Sequence, residues 1–398
     1  MATIESVDFF YLAMPQITLD VDGSQDALLV RVTSGGIEGW GECEAAPLVS
    51  IASFVCPPSH GACQPVGRAV LGAELNDVAD IFAIADAVRY FSMDLLQAVH
   101  TWSGIEMALW DLLGKRQGRP VWSMLGYSQA MPKRPYASLL FREDPADTFK
   151  DASKAAAEGF TAIKFGWGVF GKGTLQKDAD QLRAAREGIG AGRDLMIDAG
   201  QIWGDDVDRA VSRLSALESV RAVWLEEPFI PDAFQSWATL SSRSKSVRLA
   251  GGEAAHNAEM AINLIDYAKV GFIQIDCGRI GGLGPAKRVA DHAVNHGVIY
   301  VNHTFTSFLA LSASIQPYAG LKDHDICEYP GAPKELATCI TNEAIKMDRD
   351  GAIHLPSGPG LGVTVNENAI KKYMVDVEIT VNRRRLFPPM KKCKRSVE

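Results

Sequence analysis

The chain reads as an α/β protein built on a (β/α)8, TIM-like barrel with an α+β module in front of it, and three observations predict this. Beyond Pro132, short apolar strand segments alternate with helical segments, and strand ends recur about every 23 to 35 residues, the length of one βα unit. Eight such strands can be counted, the number that closes a barrel. The length, 398 residues, suits one barrel of about 250 residues with a smaller partner.

In chain order, Ile4 to Glu42 is period two and reads as an antiparallel meander, with Ala27–Val32 followed by the Gly35-Gly36 turn and Gly39-Trp40-Gly41-Glu42. Helical spacing runs from about Asp77 to Lys115. Its last part, Trp102 to Lys115, sets Ile105, Ala108, Leu109, Leu112 and Leu113 on one face and stops near Gly118-Arg119-Pro120. The barrel strands are expected near Pro135–Leu139, then at Ala162–Phe165, Leu195–Asp198, Val223–Glu226, Arg248–Gly252, Phe272–Asp276, Val298–His303 and Asp325–Glu328. The turn-rich stretch His354 to Gly362 leaves too few residues for another domain, so the tail is expected to return to the first module. The expected division is 1–130, 131–355 and 356–398.

Composition excludes several classes of function. With 47% hydrophobic and 22% charged residues the chain is globular, not disordered or fibrous. A net charge of −8 provides no field for a phosphate backbone, so nucleic acid is not an expected partner. The basic stretches Arg383–Arg385 and Lys391–Arg395 are read as a solvated tail. Seven scattered cysteines without a CxxC pair suit a reducing compartment, and the cytoplasm is the expected location. Cys56, His60 and Cys63 lack a fourth zinc ligand. No apolar run approaches the roughly 20 residues that span a bilayer, and the N-terminus lacks the order of a signal peptide, so neither export nor a membrane partner is expected.

Chemistry is expected where the strands end, because the active site of this fold lies at the C-terminal mouth of the barrel. Successive strands end in Lys164, Asp198, Glu226, Glu253, Asp276, His303 and Glu328. Asp198, Glu226 and Glu253 on adjacent strands cannot all stay ionised together without a cation. A hard divalent ion with oxygen ligands resolves the conflict, and Mg2+ suits a site that leaves positions for water and substrate. Asp276 can hold the tautomer of His303 and raise its basicity, the arrangement of a general base.

The motifs Gly39-Trp40-Gly41-Glu42, Ser103 to Asp111, Trp224-Leu225-Glu226-Glu227-Pro228, Gly251-Gly252-Glu253 and Gly358-Pro359-Gly360-Leu361-Gly362 occur in order over nearly the whole chain. In them the sequence resembles the enolase superfamily, specifically its mandelate racemase-like subgroup. The resemblance implies that the first module and the tail form a capping domain, that Asp198, Glu226 and Glu253 hold Mg2+, and that Glu227 supports them. It also implies that Asp276 and His303 are the catalytic dyad, that Glu328 partners the substrate carboxylate, and that the chain is a homo-oligomer, dimer to octamer. The shared step is removal of a proton α to a carboxylate, giving an enediolate that the metal stabilises.

Many relatives end the second strand in Lys-x-Lys, the second Lys being a base opposite the His. Here the row is Lys164-Phe165-Gly166, and a glycine moves no protons. A two-base racemisation is disfavoured, whereas a syn β-elimination needs only His303 as base and then acid. The expected activity is therefore dehydration of a small-molecule sugar acid, an aldonate or aldarate, to a 2-keto-3-deoxy acid. The alternatives are a lactone cycloisomerase, an epimerase, or a non-catalytic binding protein on the same barrel. Lys164 is expected to neutralise the substrate carboxylate or the enediolate, or else to pair with a metal-site carboxylate. Trp167 is a candidate wall for the polyol chain, and Gly200 stands where relatives often carry Asn. Specificity is assigned to loops near Met14–Gln25 and Val49–Gly67.

Gly166 to Gly171 matches GxGxxG, but on the second strand of a barrel it is not read as a dinucleotide site, and Gly278 to Gly284 lacks the P-loop Lys. His256, His292, His296 and His324 are read as surface residues.

Overall fold

The computed structural model describes residues 2–19, 23–44, 46–331 and 333–387; the basic stretch Lys391–Arg395 lies outside them. Strands β1 (Ser6–Ala13), β2 (Asp26–Ser34) and β3 (Ile37–Cys43) form the antiparallel meander in the order β1-β2-β3. The parallel sheet holds β4 (Arg134–Leu140), β5 (Ala162–Gly166), β6 (Asp194–Asp198), β7 (Ala222–Glu226), β8 (Arg248–Gly251), β9 (Phe272–Ile275), β10 (Ile299–Asn302) and β11 (Ile326–Pro330). Its order is β10-β9-β8-β7-β6-β5-β4-β11, the eight-stranded parallel arrangement of the barrel that the alternating pattern predicted.

The side-chain period of a strand explains how a polar mouth sits on an apolar floor. Tyr136, Ala162, Met196, Trp224, Ala250, Phe272, Val301 and Ile326, one from each strand, pack into one buried cluster. Two residues further on, the same faces carry Ser138, Lys164, Asp198, Glu226, Gly252, Gln274, His303 and Glu328. The apolar layer thus supports a polar one directly, and Trp224 Nε1 donates to Glu226 Oε2 at 3.0 Å.

The first and last strands of the sheet order, β10 and β11, are joined by a side chain. Asn302 Oδ1 accepts from Glu328 N at 3.0 Å while its Nδ2 donates to Glu328 O at 3.2 Å, so the amide stands in for a neighbouring backbone. Tyr318 Oη donates to the same Oδ1 at 2.8 Å. At the opposite end of β4, buried Lys133 donates to the carbonyls of Tyr318 (2.9 Å), Leu321 (3.1 Å) and His324 (2.9 Å).

The meander lies on the long helix Ala98–Gln117 through two glycines. A Cβ on Gly39 would sit 2.0 Å from Ala108 O, and one on Gly41 would sit 2.1 Å from Gly104 O. Asp111 of that helix accepts from Trp40 N and Leu361 N, both at 2.8 Å, tying the meander and the late turn to it. Glu106 reaches across to the helix Leu283–Asn295, accepting from Leu283 N (2.7 Å) and Gly284 N (2.8 Å). Packed on both sides, the long helix is buried all round from Thr101 to Gly114, not on the single face expected. The tail meets β1 where Val375 N donates to Tyr11 O at 2.8 Å.

Three other expectations are corrected. The expected loop Val49–Gly67 begins inside a helix, Pro47–Val55, because Pro47 opens a turn and Ile51 and Phe54 bury one face before Pro57-Pro58 stops it. Arg383–Arg385 belong to a hairpin, β12 (Ile379–Val381) with β13 (Arg384–Phe387), whose two turn residues Asn382 and Arg383 take φ of 50° and 63°. His324 is buried, and its Nδ1 accepts from Tyr300 N at 2.8 Å.

Two outcomes follow for stability. Asn302→Leu keeps the volume but leaves Glu328 N–H unpaired and its C=O with only the Cys327 thiol, so urea unfolding should show a loss of about 1–3 kcal/mol. Burial pushes the Lys133 ammonium from 10.5 down to about 8. Between those values the unfolded chain binds more protons, so this residue's contribution to stability rises with pH across that window and is flat below it. Unfolding curves from pH 7 to 10 should lose that rise in Lys133→Met.

Candidate active site

The residues at the strand ends converge on a cavity of about 170 Å3 lined by Lys164, Gly166, Trp167, Asp198, Glu253, Arg279 and His303, with Gly23 and Glu44 from the meander side. Glu226 and Glu328 lie beneath it, fully buried. Lys164 Nζ is 2.6 Å from Glu226 Oε1, 3.0 Å from Glu328 Oε1 and 3.6 Å from Asp198 Oδ2. Of the two expectations for Lys164, it is the carboxylate pairing that the geometry displays. Burial opposes the ammonium, but Glu226 and Glu328 more than offset it and hold its pKa well above the ordinary value.

Burial pushes the carboxyls of Asp198 and Glu226 up, to about 6 and about 8, even with Lys164 beside them. More negative charge is gathered here than one ammonium neutralises, and every donor in the Asp198, Glu226 and Glu253 set is an oxygen. That is the chemistry of a hard divalent cation such as Mg2+. Among the described residues, the three-member group whose candidate ligand atoms all lie within 4.8 Å of one another is elsewhere, at Asp266, His292 and His296. The mouth carboxylates are therefore spread more widely, with Lys164 between Asp198 and Glu226.

His303 follows β10 and Asp276 follows β9, so parallel pairing brings them together: His303 Nδ1 to Asp276 Oδ2 is 2.8 Å. Gly278 N donates to Asp276 Oδ1 at 2.6 Å, fixing the carboxylate from behind. His303 Nε2 faces Glu253 Oε2 at 3.3 Å and Glu328 Oε2 at 3.9 Å. Burial would lower its pKa, but Glu253, Glu328 and the Asp276 hydrogen bond lift it to about 10. Glu328 also accepts from Thr304 N at 3.0 Å, which steadies the backbone beside the imidazole.

Glu227 turns away from the cavity. Its Oε1 accepts from Gly252 N and its Oε2 from Gln201 Nε2, both at 2.9 Å, so it braces the chain just before Glu253 and just after Asp198. Gly166 lies against Asp198, where a Cβ would come within 2.6 Å of Asp198 Cβ. Trp167 is 38% exposed at the cavity rim, and its indole packs on Gly200, where a Cβ would meet it at 2.7 Å. The indole thus occupies the room that a side chain at position 200 would need.

Two groups of this site were missed in the sequence. Arg279 makes a bidentate pair with Glu44 (2.7 and 2.9 Å) and lies 3.5 Å from Glu253 Oε1, joining the end of β3 to the barrel mouth. Glu42 accepts a hydrogen bond from Ser307, in the loop that follows His303, and burial pushes its carboxyl up to about 7. Period two from Glu42 to Glu44 was the available signal. The GxGxxG stretch forms turns, and the next helix starts only at Leu175, so its glycines open no helix N-terminus. His60 lies 3.2 Å from Asp94 and forms no metal-ligand trio with Cys56 and Cys63.

Residues 147–369 match the family described as enolase C-terminal domain-like, and residues 11–126 match the mandelate racemase / muconate lactonizing enzyme N-terminal domain. A solved structure described as a predicted mandelate racemase from Rhodobacter sphaeroides is 58% identical, with a TM-score of 0.95 over 97% of this chain and 99% of that one. D-galactarolactone cycloisomerase from Agrobacterium fabrum is 28% identical over 85% of this chain and 88% of that protein. D-gluconate dehydratase from Thermoproteus tenax is 27% identical over 94% of this chain and 75% of that protein.

Removing the ammonium tests the charge balance directly. In chelator-treated protein, Lys164→Met should lower the unfolding free energy by roughly 3–5 kcal/mol in urea, because it strands buried carboxylates. Adding Glu226→Gln should recover part of that loss.

Proposed function

The chain belongs to the mandelate racemase / muconate lactonizing enzyme family of the enolase superfamily, and from that premise we propose that it is a Mg2+-dependent dehydratase of an aldonate or aldarate. The observation that carries this reading is His303 backed by Asp276 at the cavity, while Gly166, packed so closely on Asp198 that a Cβ there would clash, supplies no second base at that position. Asp198, Glu226 and Glu253 would hold Mg2+, with Glu227 bracing their backbone. Bound there, the ion would supply positive charge to the enediolate that an imidazole could not otherwise generate.

The protein's own groups then divide the work. Asp276 Oδ2 accepts from His303 Nδ1–H and fixes the tautomer. Glu253 and Glu328 hold the ring protonated in the free protein; with Glu253 neutralised by a cation, that pKa would fall and leave the Nε2 lone pair to act as the base. Nε2 takes the α proton, and the electron pair of the broken C–H bond becomes the double bond of the enediolate. As the Cα=Cβ bond forms and the β C–O bond breaks, the same Nε2–H returns the proton to the departing hydroxide, so water leaves on the face from which the proton came. The enol product tautomerises to a 2-keto-3-deoxy acid. Glu328 and Lys164 set the charge beside the substrate carboxylate, and Trp167 walls the polyol chain. Residues 1–130 and 356–398 would cap the barrel of residues 131–355, and a homo-oligomer belongs to the same reading.

A second reading, lactone cycloisomerisation, draws support from the likeness to D-galactarolactone cycloisomerase and needs the same single base. Purified protein with Mg2+ and a panel of aldonates, aldarates and their lactones should release α-keto acid. A ring-opened or epimeric product without keto acid would overturn dehydration. Chelation should abolish turnover and Mg2+ should restore it, and His303→Asn should lower kcat by about 10^2–10^4-fold.

A further inference from the structure

A second cluster of ligand-type side chains lies away from the mouth. The helix Leu283–Asn295 carries His292 in its last turn and is closed by His296, and four residues of spacing put both imidazoles on one face. Asp266 comes from the preceding connection, in the π turn Leu264–Ala268. A helix that follows a barrel strand runs back along the outside, so its C-terminal end lies at the face opposite the mouth. The cluster therefore shares nothing with the carboxylates that surround Lys164.

The hydrogen bonds decide which atoms are free. His296 Nδ1 lies 2.8 Å from His292 O, and a carbonyl only accepts, so Nδ1 carries the proton. In the neutral ring Nε2 is then a lone pair, and it faces Asp266 Oδ1 at 3.9 Å. His292 Nε2 lies 2.8 Å from the same oxygen and donates its proton to it, the proton that a bound metal would displace. The two rings stack at 4.0 Å with 23° between their planes, so both Nε2 atoms approach one carboxylate from one side. His296 Nε2 and Asp266 Oδ1 thus face each other as two electron-rich atoms at a separation too long for a hydrogen bond.

We propose that Asp266 Oδ1, His292 Nε2 and His296 Nε2 form a site for a divalent transition metal of the zinc class, with solvent as the fourth ligand. Tetrahedral zinc with bonds of about 2.0–2.1 Å separates its ligand atoms by roughly 3.3 Å. The contacts of 2.8 and 3.9 Å bracket that value, so small side-chain shifts close the site. The Nδ1–H to carbonyl bond of His296 is the second contact that orients a metal-binding imidazole. Two imidazoles and one carboxylate favour a borderline ion over Mg2+, whereas the all-oxygen mouth favours the reverse. The side chains are 23%, 47% and 32% exposed for His292, His296 and Asp266, leaving the position open to entry from solvent. Metal there would pin the Leu283–Asn295 helix to the connection before β9.

The test uses the full chain in excess Mg2+, titrated with zinc chloride by calorimetry and with Co2+ by visible absorption. Wild type should bind one zinc equivalent, show the absorption of a tetrahedral cobalt site and melt at a higher temperature with zinc. His296→Ala and Asp266→Asn should each weaken that equivalent by at least about tenfold and lose the cobalt bands. Glu226→Gln, at the mouth, should retain both. Equal zinc affinity in wild type and His296→Ala would overturn the site, as would zinc binding lost in Glu226→Gln and kept in the two surface variants.

Discussion

Charge crowding at the mouth of the barrel is the constraint around which this molecule is arranged. The strands deliver Asp198, Glu226, Glu253, Asp276 and Glu328 to one end, all with little or no exposure to water. Desolvation alone would protonate several of them. Lys164 is placed where it relieves three at once, and His303 lies between Asp276 and Glu253. Each cationic group is thus already committed to carboxylates within the protein. Any reaction here starts from that balance, and the excess of negative charge is what suits the site to a divalent cation.

The rest of the fold holds this arrangement still. An apolar layer, one residue from each strand, forms the floor, and the indole of Trp224 reaches up from it to Glu226. Asn302 closes the seam beside Glu328 with its side-chain amide, so the residue next to His303 also joins β10 to β11. From above, Glu42 grips Ser307 and Glu44 grips Arg279, while Gly39 and Gly41 let β3 settle onto the long helix. The antiparallel module therefore bears directly on the loop behind the imidazole and on the arginine beside Glu253.

Much of this was legible in the residues because strand periodicity is local. A polar residue two places after an apolar one, on strand after strand, marks the inward face and its mouth; Met196 to Asp198 and Trp224 to Glu226 are instances. The glycine at position 166 was equally plain, but its reason was not: Asp198 on the adjacent strand leaves no space for a Cβ. Gly200 is explained by a φ of 54° and by the Trp167 indole that covers it. In Val49–Gly67 the Pro57-Pro58 pair is a plain loop signal, whereas the helix before it buries only Ile51 and Phe54 along its apolar face after residue 50, too short a pattern to stand out.

By itself the sequence determined which residues face inward, in what order, and that acidic groups with one lysine and one histidine would meet at the strand ends. Those are consequences of a two-residue period and of the C-terminal placement of loops, and both are properties of short segments. The tertiary structure alone decided that Lys164 lies among Glu226, Glu328 and Asp198, that Arg279 turns to Glu44, and that Asp266 meets two histidines taken for surface residues. Such contacts join residues from 26 to 235 positions apart. Their partners are selected by how strands and helices are packed side by side, a quantity that no local pattern encodes.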